Sequence, residues 1–231
     1  MSQTTLKTRP VARSQWFRSK NVVFALIAIM VGYVLYHNER FLFDPTHPVW
    51  QHYESFQWWL LPHGLAGACA LLLVPLQFSD RLRARYTKLH RVVGRVYVAG
   101  ALFLAPLGAY IQYIEEPMGA SRSFTIAATV DAVLLSVTTA VGLAFAIKRM
   151  IPQHRQWMTR SYAVALTFFE VRLILGITGW DSPPSFAIAE IVVWTCVALS
   201  LLVADLANQW YELQSLRPRA AVSHRRPVAA L

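Results

Sequence analysis

The sequence predicts an all-α membrane protein with six transmembrane helices, and three observations carry that prediction. Of its 231 residues, 55% are hydrophobic and only 15% are charged, whereas a soluble domain has about 25% charged residues. Its mean hydropathy is +0.38. Several apolar runs reach the roughly 18 residues that a helix needs to cross a bilayer. The chain is therefore expected to form one membrane domain with little soluble mass.

The predicted spans occupy the chain between a basic leader and a basic tail. The leader, residues 1–19, lacks a small-residue cleavage site after it, which favours an uncleaved signal anchor. The tail, residues 207–231, is polar and basic, and we expect it to be cytoplasmic and disordered. The six spans lie at residues 20–37, 58–78, 91–114, 123–147, 157–178 and 185–206.

Lysine and arginine residues fall on alternate segments of this pattern. Nineteen of the 22 lie in residues 1–20, in the segments 79–95 and 148–160, or in the tail. Because positive residues accumulate in cytoplasmic loops, both termini are expected on the cytoplasmic side of a bacterial inner membrane. The same rule accounts for the net charge of +10. The expected partners are therefore the lipid bilayer and other membrane protein subunits, and not nucleic acid.

The predicted core consists of spans two to five. Interior faces of membrane bundles carry small and polar residues, and such residues recur at helical spacing on these spans. On the third span the interior stripe is His90, Gly94, Tyr97, Ala101, Ala105, Gly108 and Gln112. On the fifth it is His154, Met158, Ser161, Ala165, Phe168, Arg172 and Gly176. We expect a four-helix core, with the first and sixth spans at its periphery.

Two similar basic phrases stand at the starts of the third and fifth spans, LHRVVGRVY at residues 89–97 and QHRQWMTRSY at residues 153–162. Topology explains their arginines as cytoplasmic anchors, but it does not explain two histidines on interior faces. Because both spans run in the same direction, the two imidazoles should lie at similar depth. The candidate cofactor-binding residues are His90, His154, Arg91, Arg155, Arg95 and Arg160.

Four interpretations of this histidine pair remain open. Two facing histidines can hold a b-type haem, with arginines binding its propionates. They can also hold copper or zinc, since imidazole binds both metals readily. The third interpretation is a cradle for an anionic headgroup or the edge of a quinone ring, and the fourth is structural anchoring without a ligand.

A second set of ionisable residues lies inside the predicted spans, in the outer half of the bilayer. Such residues are costly in lipid and are usually paired or functional. Glu170 and Arg172 point about 200° apart on one helix, so this polar network needs partners from other helices, and Asp131 or Glu190 could pair with Arg172. Structural pairing, proton binding and metal binding all remain open. The candidate metal ligands are His63, Asp131 and Glu190.

Three stretches of the sequence closely resemble a family of bacterial membrane proteins, the domain of unknown function 2306. They are LPHGLAGACALLLVPLQF at residues 61–78, RLRARYTKLHRVVGRVYV at 81–98 and HRQWMTRSYAVALTFFEVRL at 154–173. The resemblance extends over about residues 55–205 and implies an integral membrane protein without an established activity. The positions that match the family's pattern are His63, Gln77, His90, Arg91, Gly94, His154, Arg155, Trp157, Arg160 and Arg172.

Three functional hypotheses follow. The first is a small redox or metal-handling membrane protein with a cytoplasmic histidine pair, for haem b or copper, and a separate polar site on the outer side for a proton or a quinone. The second is a non-catalytic assembly factor or subunit of a larger complex. The third is a transporter of a small solute or ion. Soluble-enzyme motifs are absent, including the P-loop, GxGxxG, CxxC, HExxH and the nucleophile elbow.

Overall fold

The computed structural model describes residues 13–38, 41, 44, 46–54, 56–119, 121–180 and 186–223. These residues form α-helices joined by short turns, and none of them forms a β-strand. The 3-10 turn Glu116–Met118 follows the sixth helix. The helices are α1 (Arg13–His37), α2 (Val49–Tyr53), α3 (Gln57–Leu72), α4 (Val74–Gln77), α5 (Asp80–Arg85), α6 (Thr87–Glu115), α7 (Arg122–Ile147), α8 (Ile151–Thr178) and α9 (Phe186–Ser223).

Five helical segments are long and apolar enough to cross a membrane. In a bilayer every backbone N–H and C=O must be bonded internally, which a continuous helix achieves. The prediction of an all-α membrane protein is therefore confirmed. The apolar part of α1, Asn21–His37, is shorter than the other five. The five segments are Gln57–Gln77, Thr87–Glu115, Arg122–Ile147, Ile151–Thr178 and Ala187–Leu213.

Several helices extend beyond the apolar runs from which they were predicted. α6 begins at Thr87 rather than residue 91, and α8 begins at Ile151 rather than residue 157. α9 continues to Ser223, beyond residue 207 at which the predicted tail begins. The reason is that Arg, Gln, Glu and Ala are good helix formers. Helix length is therefore set by backbone propensity, and not by where the apolar run ends.

The second predicted span divides into α3 and α4. The break is at Leu73, which belongs to neither helix. Pro75 stands at the start of α4 and has no N–H to continue the ladder of the preceding turn. The short α4 ends at Gln77, whose side chain reaches α6 as described below.

The packed bundle contains α9 as well as the four helices predicted for the core. α9 packs along α8 as closely as α6 packs on α7, and it also contacts α7. Its buried face consists of Val192, Val193, Cys196 and Val197. The expectation of a peripheral sixth span is therefore wrong. The sequence of α9 does not show whether the helix is in the core or at the periphery. A helix that contacts lipid on one side and protein on the other is apolar on both sides.

Small residues bring α3 and α6 together. A Cβ on Gly100 of α6 would stand 3.1 Å from the backbone oxygen of Ala66 and 3.3 Å from Cβ of Cys69. Both atoms belong to rigid parts of α3, so neither can move aside at low cost. This close approach matches the small-residue packing typical of membrane helices.

We predict that Gly100→Val destabilises the bundle by about 1–3 kcal/mol, because overpacking forces α3 and α6 apart. The matched control is Gly64→Val, since a Cβ at Gly64 of α3 has no neighbouring atom within 4 Å. Unfolding of the two purified variants in mild detergent, followed by circular dichroism, measures the difference. Equal midpoints for both variants would contradict the contact.

Candidate functional site

α6 and α8 both begin at one end of the bundle, which we call the basic end. His90 is the fourth residue of α6, and His154 is the fourth residue of α8. The start of α8 follows from a tight turn in which Arg149 takes a positive φ of 59°, and Pro152 at its second position suits a helix N-terminus. The arginines of this end include Arg83, Arg91, Arg95, Arg149, Arg155 and Arg160.

His154 has a defined ring orientation. Its Nδ1 lies 2.8 Å from the carbonyl oxygen of Gly142 on α7. A carbonyl oxygen only accepts hydrogen bonds, so Nδ1 donates and Nε2 of the neutral ring keeps its lone pair. Gly142 permits the approach, because a Cβ there would stand 2.6 Å from Sδ of Met158. Metal-binding histidines are commonly oriented by such a hydrogen bond from the other nitrogen.

His90 is partly buried, and its backbone is braced by Gln77 of α4. Nε2 of Gln77 donates to the carbonyl oxygen of His90 at 3.0 Å. The same side chain lies against Gly94, where a Cβ would stand 3.2 Å from Oε1 of Gln77. Among the described residues, Nδ1 of His90 has no hydrogen-bond partner although it is buried. An unpaired buried polar atom costs about 1–3 kcal/mol.

Both histidines line one cavity of about 2480 Å³, and their imidazoles are close enough to interact electrostatically. The cavity extends from the basic end along a face of α8 through Met158, Tyr162 and Leu166, and faces of α1, α6 and α9 also border it. Its wall is polar and positive at the basic end and mostly apolar beyond it. Five of the six predicted cofactor-binding residues border it, namely His90, His154, Arg91, Arg95 and Arg155.

The sixth predicted residue, Arg160, does not border the cavity, because it bonds α9. Its Nε donates to Oδ1 of Asp205 at 2.7 Å, and its guanidinium lies 5.1 Å from the ring centre of Trp157. Arg155 also contacts α9, with its guanidinium 3.2 Å from the ring centre of Tyr211. Sequence reasoning missed both α9 partners. The available signal was a carboxyl and an aromatic ring in the last part of the apolar segment Ala187–Leu213.

The five ionisable residues predicted for the outer half do not form a single cluster. The ring of His63 lies on Gly108 of α6, so that a Cβ there would stand 2.8 Å from Cε1. Within the described part of the chain, no three His, Cys, Asp or Glu residues come together as a group that could hold a metal ion. The structure thus does not bring His63, Asp131 and Glu190 together. Arg172 is partly buried on α8.

Asp131 and Glu170, two members of this set, are close enough to interact electrostatically. Asp131 is only 5% exposed, and Glu170 of α8 is its charged neighbour. Oε2 of Glu170 accepts a hydrogen bond from Ser200 of α9 at 2.9 Å, and Glu170 also borders the cavity. Both carboxyls are evident in the sequence, but their proximity is not. It depends on the orientation of α7, α8 and α9 about their axes.

A buried hydroxyl cluster joins three helices between these two regions. Oγ of Ser161 on α8 lies 2.6 Å from the phenol oxygen of Tyr97 on α6 and 2.7 Å from Oγ1 of Thr139 on α7. All three side chains are at most 1% exposed. The interior stripes included Tyr97 and Ser161. Thr139 was not predicted from the sequence, and its neighbour Thr138 bonds the backbone of its own helix instead.

Comparison with known proteins places these features in one family. The family model described as "Predicted membrane protein (DUF2306)" matches residues 60–208, the segment that contains both basic phrases. No curated protein and no solved structure matches the chain.

We predict that Ser161→Ala destabilises the folded protein by about 1–3 kcal/mol, because it leaves two buried hydroxyls short of a partner. Ser123→Ala is the matched control, since Ser123 is exposed near the start of α7. Thermal or denaturant unfolding in detergent checks the difference. A Ser161 variant as stable as the control would show that the cluster contributes nothing.

Proposed function

Because the chain belongs to the DUF2306 family of predicted membrane proteins, whose description names no activity, we propose a function from the site itself. The chain is a membrane redox protein that binds a b-type haem between His90 and His154. The observation that carries this proposal is that both imidazoles border one cavity, with Nδ1 of His154 committed to Gly142. That hydrogen bond leaves Nε2 of His154 for iron.

The rest of the cavity suits the same ligand. A bis-histidine haem needs two imidazoles on opposite faces of a flat apolar macrocycle and cations near its carboxylates. Met158 and Tyr162 supply apolar wall beyond the histidines, and Arg91 and Arg95 supply positive charge beside His90. A bond to iron would also give the imidazole of His90 a partner. When bound, the haem would supply one-electron transfer.

α1 completes the proposed six-span topology. Its Phe24 ring lies 5.9 Å from that of Phe78, which follows α4 toward the basic end. Nearer its other end, Tyr33 lies against Gly176, close to the end of α8. α1 thus extends along α8 over much of the bundle. With α1 as a span, the start of α1 and the described end of α9 lie at the basic end, which the positive-inside rule assigns to the cytoplasm of a bacterial inner membrane.

The decisive variants are His90→Ala and His154→Ala, each expected to lose the haem absorbance of the purified protein. The measurement is a reduced-minus-oxidised visible spectrum with metal analysis of the same sample, after expression with added haem precursor and copper. His63→Ala is the matched control, because it removes a partly buried histidine from a different span, and it should keep the wild-type spectrum.

A rescue experiment separates ligand loss from misfolding. His90→Gly leaves space for free imidazole, and adding imidazole to this variant is expected to restore the bis-imidazole spectrum. A wild-type protein without haem absorbance overturns the haem proposal. In that case bound copper that depends on His90 and His154 indicates a copper site, since imidazole binds copper well. A protein without colour or metal favours a non-catalytic subunit.

A further inference from the structure

α8 presents two neighbouring faces to the large cavity, and the proposed haem uses only one of them. His154 and Met158 lie one turn apart on the first face, and Arg155 and Thr159 lie one turn apart on the second. The second face is rotated from the first by about 100°. It is turned toward α9, because the guanidinium of Arg155 lies 3.2 Å from the ring centre of Tyr211. With about 2480 Å³, the cavity exceeds the roughly 300–1,000 Å³ of a small-molecule site, so it has room for a second ligand beside the haem.

This second face of α8 is the floor of an apolar groove that opens to the lipid. α1 and α9 both pack on α8, so they form the two rims of the groove. Leu26 and Ile29 of α1 border the cavity, as do Leu199 and Val203 of α9. All four side chains are exposed. A lipid can therefore enter between the rims directly from the membrane, and we call this part of the cavity the α1–α9 groove.

The groove is long enough for the acyl chains of one leaflet. From Arg155 to Leu166, which both border the cavity, the floor rises by about 16 Å. The hydrocarbon of one leaflet is about 15 Å thick, half of the bilayer core. Glu170, the next carboxyl along this wall, lies about one turn beyond Leu166. Chains that begin at the basic end thus contact apolar wall and end before that carboxyl.

Positive charge predominates where the groove begins. Among the described residues that border the cavity at the basic end, five are arginines and one, Asp80, has a carboxyl, which is paired with Arg83. Arg155 is partly buried. Asp80 and Glu212 act on it electrostatically, but neither is within ion-pair distance of it. Its stacked guanidinium donates no hydrogen bond to a described residue, so its N–H groups can bind an anion in the groove.

We propose that the α1–α9 groove binds one anionic phospholipid, whose phosphate contacts Arg155 and whose acyl chains lie along α8. A guanidinium binds phosphate through parallel N–H···O bonds, and basic pockets between membrane helices recognise anionic headgroups. The phosphate gives Arg155 the ion pair that it lacks within the protein. Arg149, which is exposed and borders the cavity, favours a headgroup with net negative charge. The site does not depend on the haem, because the lipid contacts neither histidine.

Native mass spectrometry of the full chain in mild detergent, titrated with phosphatidylglycerol or phosphatidylcholine, tests the proposal. We expect one phosphatidylglycerol to bind more tightly than phosphatidylcholine. Arg155→Gln should weaken its binding about tenfold, because the variant removes a charge-assisted hydrogen bond. Arg85→Gln is the matched control, since Arg85 is an exposed arginine of the same end that does not border the cavity. Equal affinity for the two lipids overturns the proposal, as does an equal loss in both variants.

The groove itself is tested by filling it. Ala207 of α9 is exposed and borders the cavity, whereas Ala144 of α7 is exposed and does not. Ala207→Trp is expected to weaken the binding of phosphatidylglycerol and Ala144→Trp to leave it unchanged, which keeps the proposal testable if Arg155→Gln does not fold. Binding that survives Ala207→Trp overturns it, and so does a homodimer that phosphatidylglycerol does not dissociate. His90→Ala should bind phosphatidylglycerol as the wild type does, so this proposal and the haem proposal fail separately.

Discussion

The arrangement of the basic end depends on the hydrogen bonds of the Ser161 hydroxyl. This hydroxyl bonds Tyr97 of α6 and Thr139 of α7, so one side chain of α8 sets the relative height of three helices. Tyr97 follows His90 by seven residues, and Ser161 follows His154 by seven residues. Seven residues are about two turns of a helix. A hydrogen bond between Tyr97 and Ser161 therefore brings the two histidines to the same depth.

A second contact sets the orientation of the site rather than its depth. The approach of α8 to Gly142 lets Met158 pack where a side chain would otherwise stand, and it brings Nδ1 of His154 to the Gly142 carbonyl. The depth of the pair and the direction of one ring thus follow from different contacts. In each contact one partner borders the cavity and the other, Ser161 or Gly142, lies behind it.

Much of this site could be predicted from the sequence, and the reasons are specific. Helices in lipid must satisfy their own backbone, so apolar length alone predicts the membrane-crossing segments. The common direction of α6 and α8 follows from counting the spans between them, and His90 and His154 both border one cavity. Arg160 does not border it. Its partner, Asp205, belongs to a helix whose rotation the apolar sequence does not encode.

The sequence by itself determined the class of protein, the membrane-crossing segments of α3 and α6 to α9, and the concentration of positive charge at one end. These properties depend on composition and on spacing along a single helix. Only the tertiary structure decided that α9 joins the core, that Tyr97, Thr139 and Ser161 share one cluster, and that Asp131 faces Glu170 rather than a metal-binding group. The physical reason is that such contacts depend on the rotation of each helix about its axis. Lipid and protein accept similar apolar surfaces, so in a membrane that rotation is set by small residues and buried polar groups.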